Sequence, residues 1–304
     1  MSPAPPERDP VPAAPDAPTE GPRRFDLRAY PAPARVAAAA LRALAALNLA
    51  YLGAHVFYDI AMGTNTAPPE PAALGFLTLS ALPWLSAALL GRLFRATLAI
   101  EAKGLTLALG ETRYEIPLAS VKALRPFALP LPGPGLALEL GEGRLFRYRL
   151  QLDAPGALLS ALADDVEPAR AALGRPPVAY ADAKHEASRR RWHYHALKWV
   201  VWPLGIALVL FRLNQYIMYG GPFGQYQMYG AGPYLRSLAT YWGGVTAVLA
   251  LYAAALRAVA EPAVFAATWL APARARTLRR AAEAICQLAY FVLVPALLAL
   301  RLLQ

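Results

Sequence analysis

Few residues in this chain could do chemistry, and they are scattered. His55 and Asp59 stand four apart in an apolar run, a spacing that sets both on one side of a helix. An ionisable pair inside a membrane-length segment is a candidate for a proton or ion relay, and it equally fits an interfacial pair within reach of water. Arg257 and Glu261 repeat the spacing at the end of another run, where a structural pairing is the simpler expectation. Trp192-His193-Tyr194-His195 follows Arg189-Arg190-Arg191. Histidines at i and i+2 point to different sides of a helix and make poor joint ligands, whereas basic and aromatic residues collect at membrane interfaces anyway. Cys286 is the single cysteine, so neither a disulfide framework nor a cysteine metal site can form within the chain. No phosphate loop, GxSxG, HExxH or CxxC pattern occurs. The expectation is a chain that is not an enzyme, with no catalytic residue, no cofactor and no metal.

The elements that must carry these residues are hydrophobic. Of 304 residues 57% are apolar, and the net charge of +10 is almost all arginine. Abundant Ala, Arg and Pro with few lysines is typical of GC-rich bacterial genomes. Apolar runs at about 36–61, 72–94, 196–217, 237–257 and 283–302 predict five membrane helices. Arg42 can snorkel from the first, leaving Ala43 to Met62 as the span, and Pro83 predicts a kink in the second. The piece Pro262 to Ala273 is too short to cross and reads as interfacial or re-entrant. Arginines cluster before the first and third runs and between the fourth and fifth, and none lies from Ala43 to Gly91 or from Leu213 to Leu235. The positive-inside rule then places the N-terminus in the cytoplasm of a multi-pass protein of a bacterial inner membrane, with the C-terminus outside. Residues 1–34, rich in Pro and Ala, read as a disordered tail, and 174–195 as a basic linker.

Between the second and third runs the period changes to two. Leu98 and Ile100, then Leu105, Leu107 and Leu109, then Tyr114 and Ile116 alternate with polar or small neighbours. Val121 to Leu129 follows, and Leu136, Leu138 and Leu140 precede Phe146, Tyr148, Leu150 and Leu152. Glycine turns separate these runs, so an antiparallel meander with one buried face is predicted. Asp153 is placed to cap a helix carrying Leu158, Leu159, Leu162 and Val166 on one stripe. The fold class expected is an α-helical polytopic membrane protein with an inserted small β-barrel closed by a helix.

The strand pair in TLAIEAKGLTLAL, the strand entering YEIPLASVKALRPF, two further strands and a helix beginning DAPGALLSALA resemble bacterial pleckstrin-homology-like (PH-like) domains attached to membrane helices, over about 95–173. The resemblance implies an interaction or scaffold module without catalytic residues. Relatives that bind phosphoinositides use a basic loop between the first two strands; here that loop is Ala102-Lys103-Gly104, with one cation. Arg144, Arg147 and Arg149 form the best basic row, a solvated strand face or a contact for anionic lipid or an acidic partner.

The loop between runs three and four carries an internal echo. Gln215-Tyr216-Ile217-Met218-Tyr219-Gly220 returns as Gln225-Tyr226-Gln227-Met228-Tyr229-Gly230. It reads as an aromatic belt at the membrane surface or as a docking surface, with Tyr216, Tyr219, Tyr226 and Tyr229 as contacts. The glycine pairs Gly220-Gly221 and Gly243-Gly244 favour close helix packing. These features together point to a non-enzymatic inner-membrane scaffold, a component of a membrane complex, with membrane lipids and other protein subunits as partners and no nucleic acid. The alternative is a transporter or accessory subunit of a transport or respiratory complex, with Asn48, His55, Asp59, Arg212 and Asn214 along a path.

Overall fold

The computed structural model describes residues 23–64, 69–101, 104–141, 143–188, 192–293 and 296. The alternating runs form β2 (Arg95–Glu101), β3 (Gly104–Leu109), β4 (Thr112–Pro117), β5 (Val121–Pro126), β6 (Gly135–Leu140) and β7 (Leu145–Gln151). Their inward residues, among them Leu98, Leu105, Leu107, Leu136, Leu138 and Leu150, are buried. α4 (Pro155–Leu162) lays Leu158, Leu159 and Leu162 on this core, Val166 completes the stripe, and α5 (Glu167–Leu173) adds Ala169 and Ala172. Each such leucine contributes about 1.5–3 kcal/mol by leaving water.

Three expectations are corrected here. Residues 23–31 are not a tail: Arg23–Pro31 is β1, the centre of the sheet, in the order β4-β3-β2-β1-β7-β6-β5. Phe25, Leu27 and Ala29 face the core while Arg24, Asp26 and Arg28 face outward, so β1 has the same period-two alternation as the other strands. The sheet is also not a barrel. β4 and β5 are consecutive in the chain yet form its two edges, separated by the short 3₁₀ turn Leu118–Ser120. Pro117 and Pro126, at the ends of these strands, bring no amide hydrogen to a closing ladder. The open sheet curls instead, and the Tyr114 hydroxyl of β4 meets that of Tyr148 on β7 at 3.2 Å. Finally, Asp153 does not cap α4. Its N-cap position is Ala154, and the first available donor, the Gly156 amide, is taken by Asp182 at 3.1 Å.

β1 runs directly into α1 (Ala32–Met62). The chain returns through α2 (Pro69–Phe76) and α3 (Leu82–Leu93) and enters β2. A helical hairpin is thus inserted between two paired strands of one sheet. The π-helical turn Leu77–Ala81 joins α2 to α3 just ahead of Pro83, and a second, Leu197–Val201, joins α7 (Trp192–Ala196) to α8 (Trp202–Tyr219) just ahead of Pro203. Proline inside a helix loses one bond and crowds the preceding turn, and a wider turn relieves both. The widened turn also presents acceptors. The Asn48 side-chain amide donates to Ser80 Oγ in this turn at 2.7 Å and to Gly75 O of α2 at 3.1 Å, tying α1 to the returning helices of the hairpin.

α9 (Gly224–Tyr229) leads into α10 (Ala231–Leu270), which runs through Pro262 unbroken. Residues 262–270 are therefore the last turns of one helix, not a separate re-entrant piece. Four helices among the described residues are long and apolar enough to cross a membrane: Ala32–Asp59, Pro71–Leu93, Trp192–Tyr219 and Ala231–Leu270. Of the expected fifth, α11 (Ala275–Leu288) and the π turn Ala289–Leu293 are described, and most of its remainder lies outside the described residues. With 40 residues α10 is about 60 Å long, twice the roughly 30 Å of hydrocarbon, so about half of it extends beyond the apolar layer.

Close helix approach does not occur where the paired glycines predict it. A Cβ on Gly220, Gly221, Gly243 or Gly244 would meet nothing within 4 Å. It occurs at Gly53 of α1, where a Cβ would lie 2.6 Å from Leu251 O and 2.7 Å from the Ala255 Cβ of α10. Backbones this close leave no room for a side chain. We predict that Gly53→Val lowers the melting temperature in detergent by several degrees, through an overpacking cost of about 1–3 kcal/mol. Gly243→Val should leave it unchanged, and equal effects from the two would contradict the packing described.

Candidate functional site

The junction between sheet and bundle is organised by α6 (Pro176–Ser188), which replaces the expected basic linker, with Arg189–Arg191 outside the described residues. Val178, Tyr180, Ala181 and Ala183 are buried, so α6 has a packed face that its polar sequence conceals. Asp182 reaches back to α4. Tyr180 donates a short hydrogen bond to Glu261 of α10, and Lys184 Nζ lies 3.0 Å from the same carboxylate oxygen. On the other oxygen, Arg279 of α11 donates at 2.9 Å and also reaches Glu283 at 3.0 Å. Arg257, the expected partner of Glu261, is its most distant at 4.0 Å. Glu186 returns the connection by binding Arg276 at 3.1 Å and Arg280 at 3.4 Å. α6, α10 and α11 thus meet on two carboxylates. A cavity of about 30 Å³ beside Glu261, Arg279 and Cys286 has room for one water.

Burial, and then the Glu261 charge, push the Tyr180 hydroxyl well above its ordinary range, so it remains a donor. With Arg279 almost fully buried, removing Glu261 would leave Glu283 as the remaining carboxylate on a desolvated cation, and losing one of two partners there costs more than an exposed ion pair contributes.

A second connection holds the mouth of the hairpin. Arg35 donates to Leu131 O at 3.1 Å and sits over the Phe127 ring at 3.7 Å, and Arg42 donates to Pro132 O at 2.5 Å. The first turns of α1 therefore lie along the loop after β5. Tyr30 is buried against Phe94, and a Cβ on Gly91 would come within 2.9 Å of its hydroxyl. Burial raises the Tyr30 pKa, with Arg28 and Arg42 opposing.

At the far end of α8 and α10 the sequence echo becomes a structural one. Gln215 and Gln225, its equivalent members, bond reciprocally: Nε2 of Gln215 donates to Oε1 of Gln225 at 2.9 Å, and the Gln225 amide donates to Oε1 of Gln215 at 3.2 Å. Gln225 continues to Ser237 of α10. Tyr219 and Tyr229 form an edge-to-face pair, and Gly220 and Gly230 both adopt positive φ where their helices end. The buried glutamines fix a platform on which Tyr216, Ile217, Met218, Tyr226, Met228 and Tyr229 are exposed.

The remaining candidates stay apart. Asp59 accepts from the Thr64 hydroxyl at 2.8 Å and closes the end of α1, while His55 packs edge-on against Tyr51. Asn48 is engaged by Gly75 and Ser80. Arg212 stacks on Phe223, and both Arg212 and Asn214 lie on α8, across α10 from α1. Arg144 and Arg147 are exposed, and the half-buried Arg149 donates to Phe146 O at 2.7 Å. Lys103 lies outside the described residues. No group of three metal-ligating side chains occurs among the described residues. The sequence offers only the local Arg257–Glu261 pair of this junction, because Tyr180 and Lys184 stand about eighty residues from Glu261 and Arg279 stands 18 from it. Comparison with known proteins gives no match: no protein-family model, curated protein or solved structure aligns with this chain.

Burial is the main cause that raises the Asp182 carboxyl above its ordinary value, opposed by the Gly156 amide and then by Arg276 and His185. The folded state therefore holds this proton more tightly than the unfolded state. The stability it contributes is present below the unfolded value of about 3.9 and is lost as pH rises through the raised folded value. Asp182→Asn keeps an acceptor for Gly156, so it should gain on the parent in melting temperature between about pH 4 and pH 7. A difference that does not change with pH would contradict burial as the dominant cause.

Proposed function

We propose that this membrane protein is a non-enzymatic scaffold of a bacterial inner-membrane complex, with the sheet domain as a PH-like interaction module in the cytoplasm. The observation that carries the reading is that one uninterrupted helix, α10, begins in the Tyr- and Met-rich platform and ends in the charged junction with the sheet domain. Two exposed recognition surfaces are thereby joined through a rigid element. Exposed Tyr and Met held on a fixed backbone suit protein contact, because little side-chain entropy is lost on binding. A meander followed by a helix over the core supports the PH-like reading, and arginines at the hairpin mouth support a cytoplasmic sheet domain and N-terminus. On the other face, Arg144 and Arg147 offer a contact for an acidic partner or anionic lipid.

The test is purification of the full chain from native membranes in mild detergent, with identification of the chains that accompany it. Tyr219→Ala with Tyr229→Ala should reduce one co-purifying partner by about tenfold or more, the loss expected when aromatic anchors are truncated. Arg144→Glu with Arg147→Glu should reduce a different one. A co-purifying set that neither variant changes would overturn the scaffold reading.

A further inference from the structure

We propose that the cleft at the mouth of the α1/α3 hairpin binds the headgroup of an aminophospholipid, with the phosphate between Arg28 and Arg95 and the ammonium at Asp26 and Asp153. The cleft has a volume of about 580 Å³ and is lined by the outward faces of β1 and β2, together with Gln151 and Asp153 at the end of β7. It sits where the hairpin joins the sheet: Arg95 follows the end of α3 at Leu93 by two positions, and Arg28 precedes the start of α1 at Ala32 by four. With α1 and α3 crossing a membrane, this is the depth of lipid headgroups.

Two features of the cleft call for a ligand. Arg28 of β1 stands directly opposite Arg95 of β2, on the same face of the sheet. Like charges placed opposite one another across strands destabilise a sheet, and an anion between them reverses the sign. On the other side of Arg28 stands Gln151, which is 4% exposed. Its amide nitrogen lies under Gly133, where a Cβ would sit 2.4 Å away, and its oxygen has no hydrogen-bond partner. A buried acceptor left unsatisfied is costly, and because Gln151 lines the cleft, a turn of its amide would offer that oxygen to a donor there.

The carboxylates specify the rest of the ligand. Asp26 accepts only a long bond from Thr97, at 3.4 Å, and Asp153 is exposed at the rim. Arg42, the other cation nearby, is already engaged by Pro132. Two guanidinium groups beside two carboxylates and a lone amide oxygen match a phosphate diester carrying a primary ammonium. A purely anionic headgroup would face two carboxylates, and a quaternary ammonium has no hydrogen to donate to Gln151. Phosphatidylethanolamine has the required chemistry, which free phosphoethanolamine shares. The inference is independent of the scaffold reading, since it concerns a different surface and a small ligand.

The experiment uses the full chain in mild detergent, exposed to equal amounts of phosphatidylethanolamine, phosphatidylglycerol and phosphatidylcholine, with retained lipid counted by native mass spectrometry. We expect phosphatidylethanolamine to be retained over either of the others by about tenfold, the effect of one good charge-assisted bond. Arg95 is exposed, so Arg95→Gln should lose this lipid without a change in melting temperature. Asp153→Asn should keep lipid binding but lose the preference over phosphatidylglycerol. Equal retention of the three lipids, or variants that behave like the parent, would overturn the site. Binding of free phosphoethanolamine with no lipid retained would overturn its lipid source.

Discussion

The antiparallel pairing of Arg23–Pro31 with both Arg95–Glu101 and Leu145–Gln151 is the constraint from which the rest of the architecture follows. A strand cannot pair across a membrane. Because β1 leads into α1 and α3 leads into β2, both ends of the hairpin must lie on one face, and the hairpin must cross an even number of times. The sheet therefore determines the topology of the helices through backbone hydrogen bonds, independently of where the arginines fall. The same pairing makes the domain discontinuous in sequence, with its central strand separated from its neighbour by the whole hairpin. Loop-closure entropy rises only slowly with length, so such an insertion is tolerable once α1 and α3 pack together.

Rigid connection needs more than one point of attachment, and the molecule has two. At the hairpin mouth Arg35 and Arg42 fasten the loop after β5 to α1. On the other side, α6 uses Asp182 to hold α4 and uses Tyr180, Lys184 and Glu186 to hold α10 and α11. These ionic contacts are partly exposed, and each contributes modestly by itself. Their value lies in number and direction: three helices converge on Glu261, so sliding any one of them uncovers a charge. Motion at the sheet domain would thus be transmitted along α10 toward the Tyr- and Met-rich end.

How much of this was legible depended on whether the signal was local. Leu105, Leu107 and Leu109, or Leu158, Leu159 and Leu162, announce their element within a few residues, and all six strands of the insert and the helix after them appear where the alternation places them. β1 carries the same alternation in Phe25, Leu27 and Ala29, but between a Pro-rich segment and an apolar run so short a pattern reads as part of the tail. α6 has a weak apolar stripe because its partners are charged, so period alone could not find it. Gly243 and Gly244 have the composition of a packing motif without a facing helix, whereas Gly53, a lone glycine, has Leu251 and Ala255 against it. The echo at Gln215 and Gln225 was visible as a repeat, but reciprocal glutamine bonding is a property of three dimensions.

The most direct test of the central claim is a cross-link between β1 and β2 in native membranes. Asp26 and Thr97 face each other on the outer surface of the sheet. In a chain carrying D26C and T97C, with Cys286→Ser to remove the native thiol, mild oxidation should produce an intramolecular disulfide as readily as in a T97C/A108C chain, whose cysteines bridge the neighbouring β2–β3 pair. If the β2–β3 pair cross-links and the β1–β2 pair does not, β1 is not in the sheet, and the shared face of the hairpin ends is lost with it.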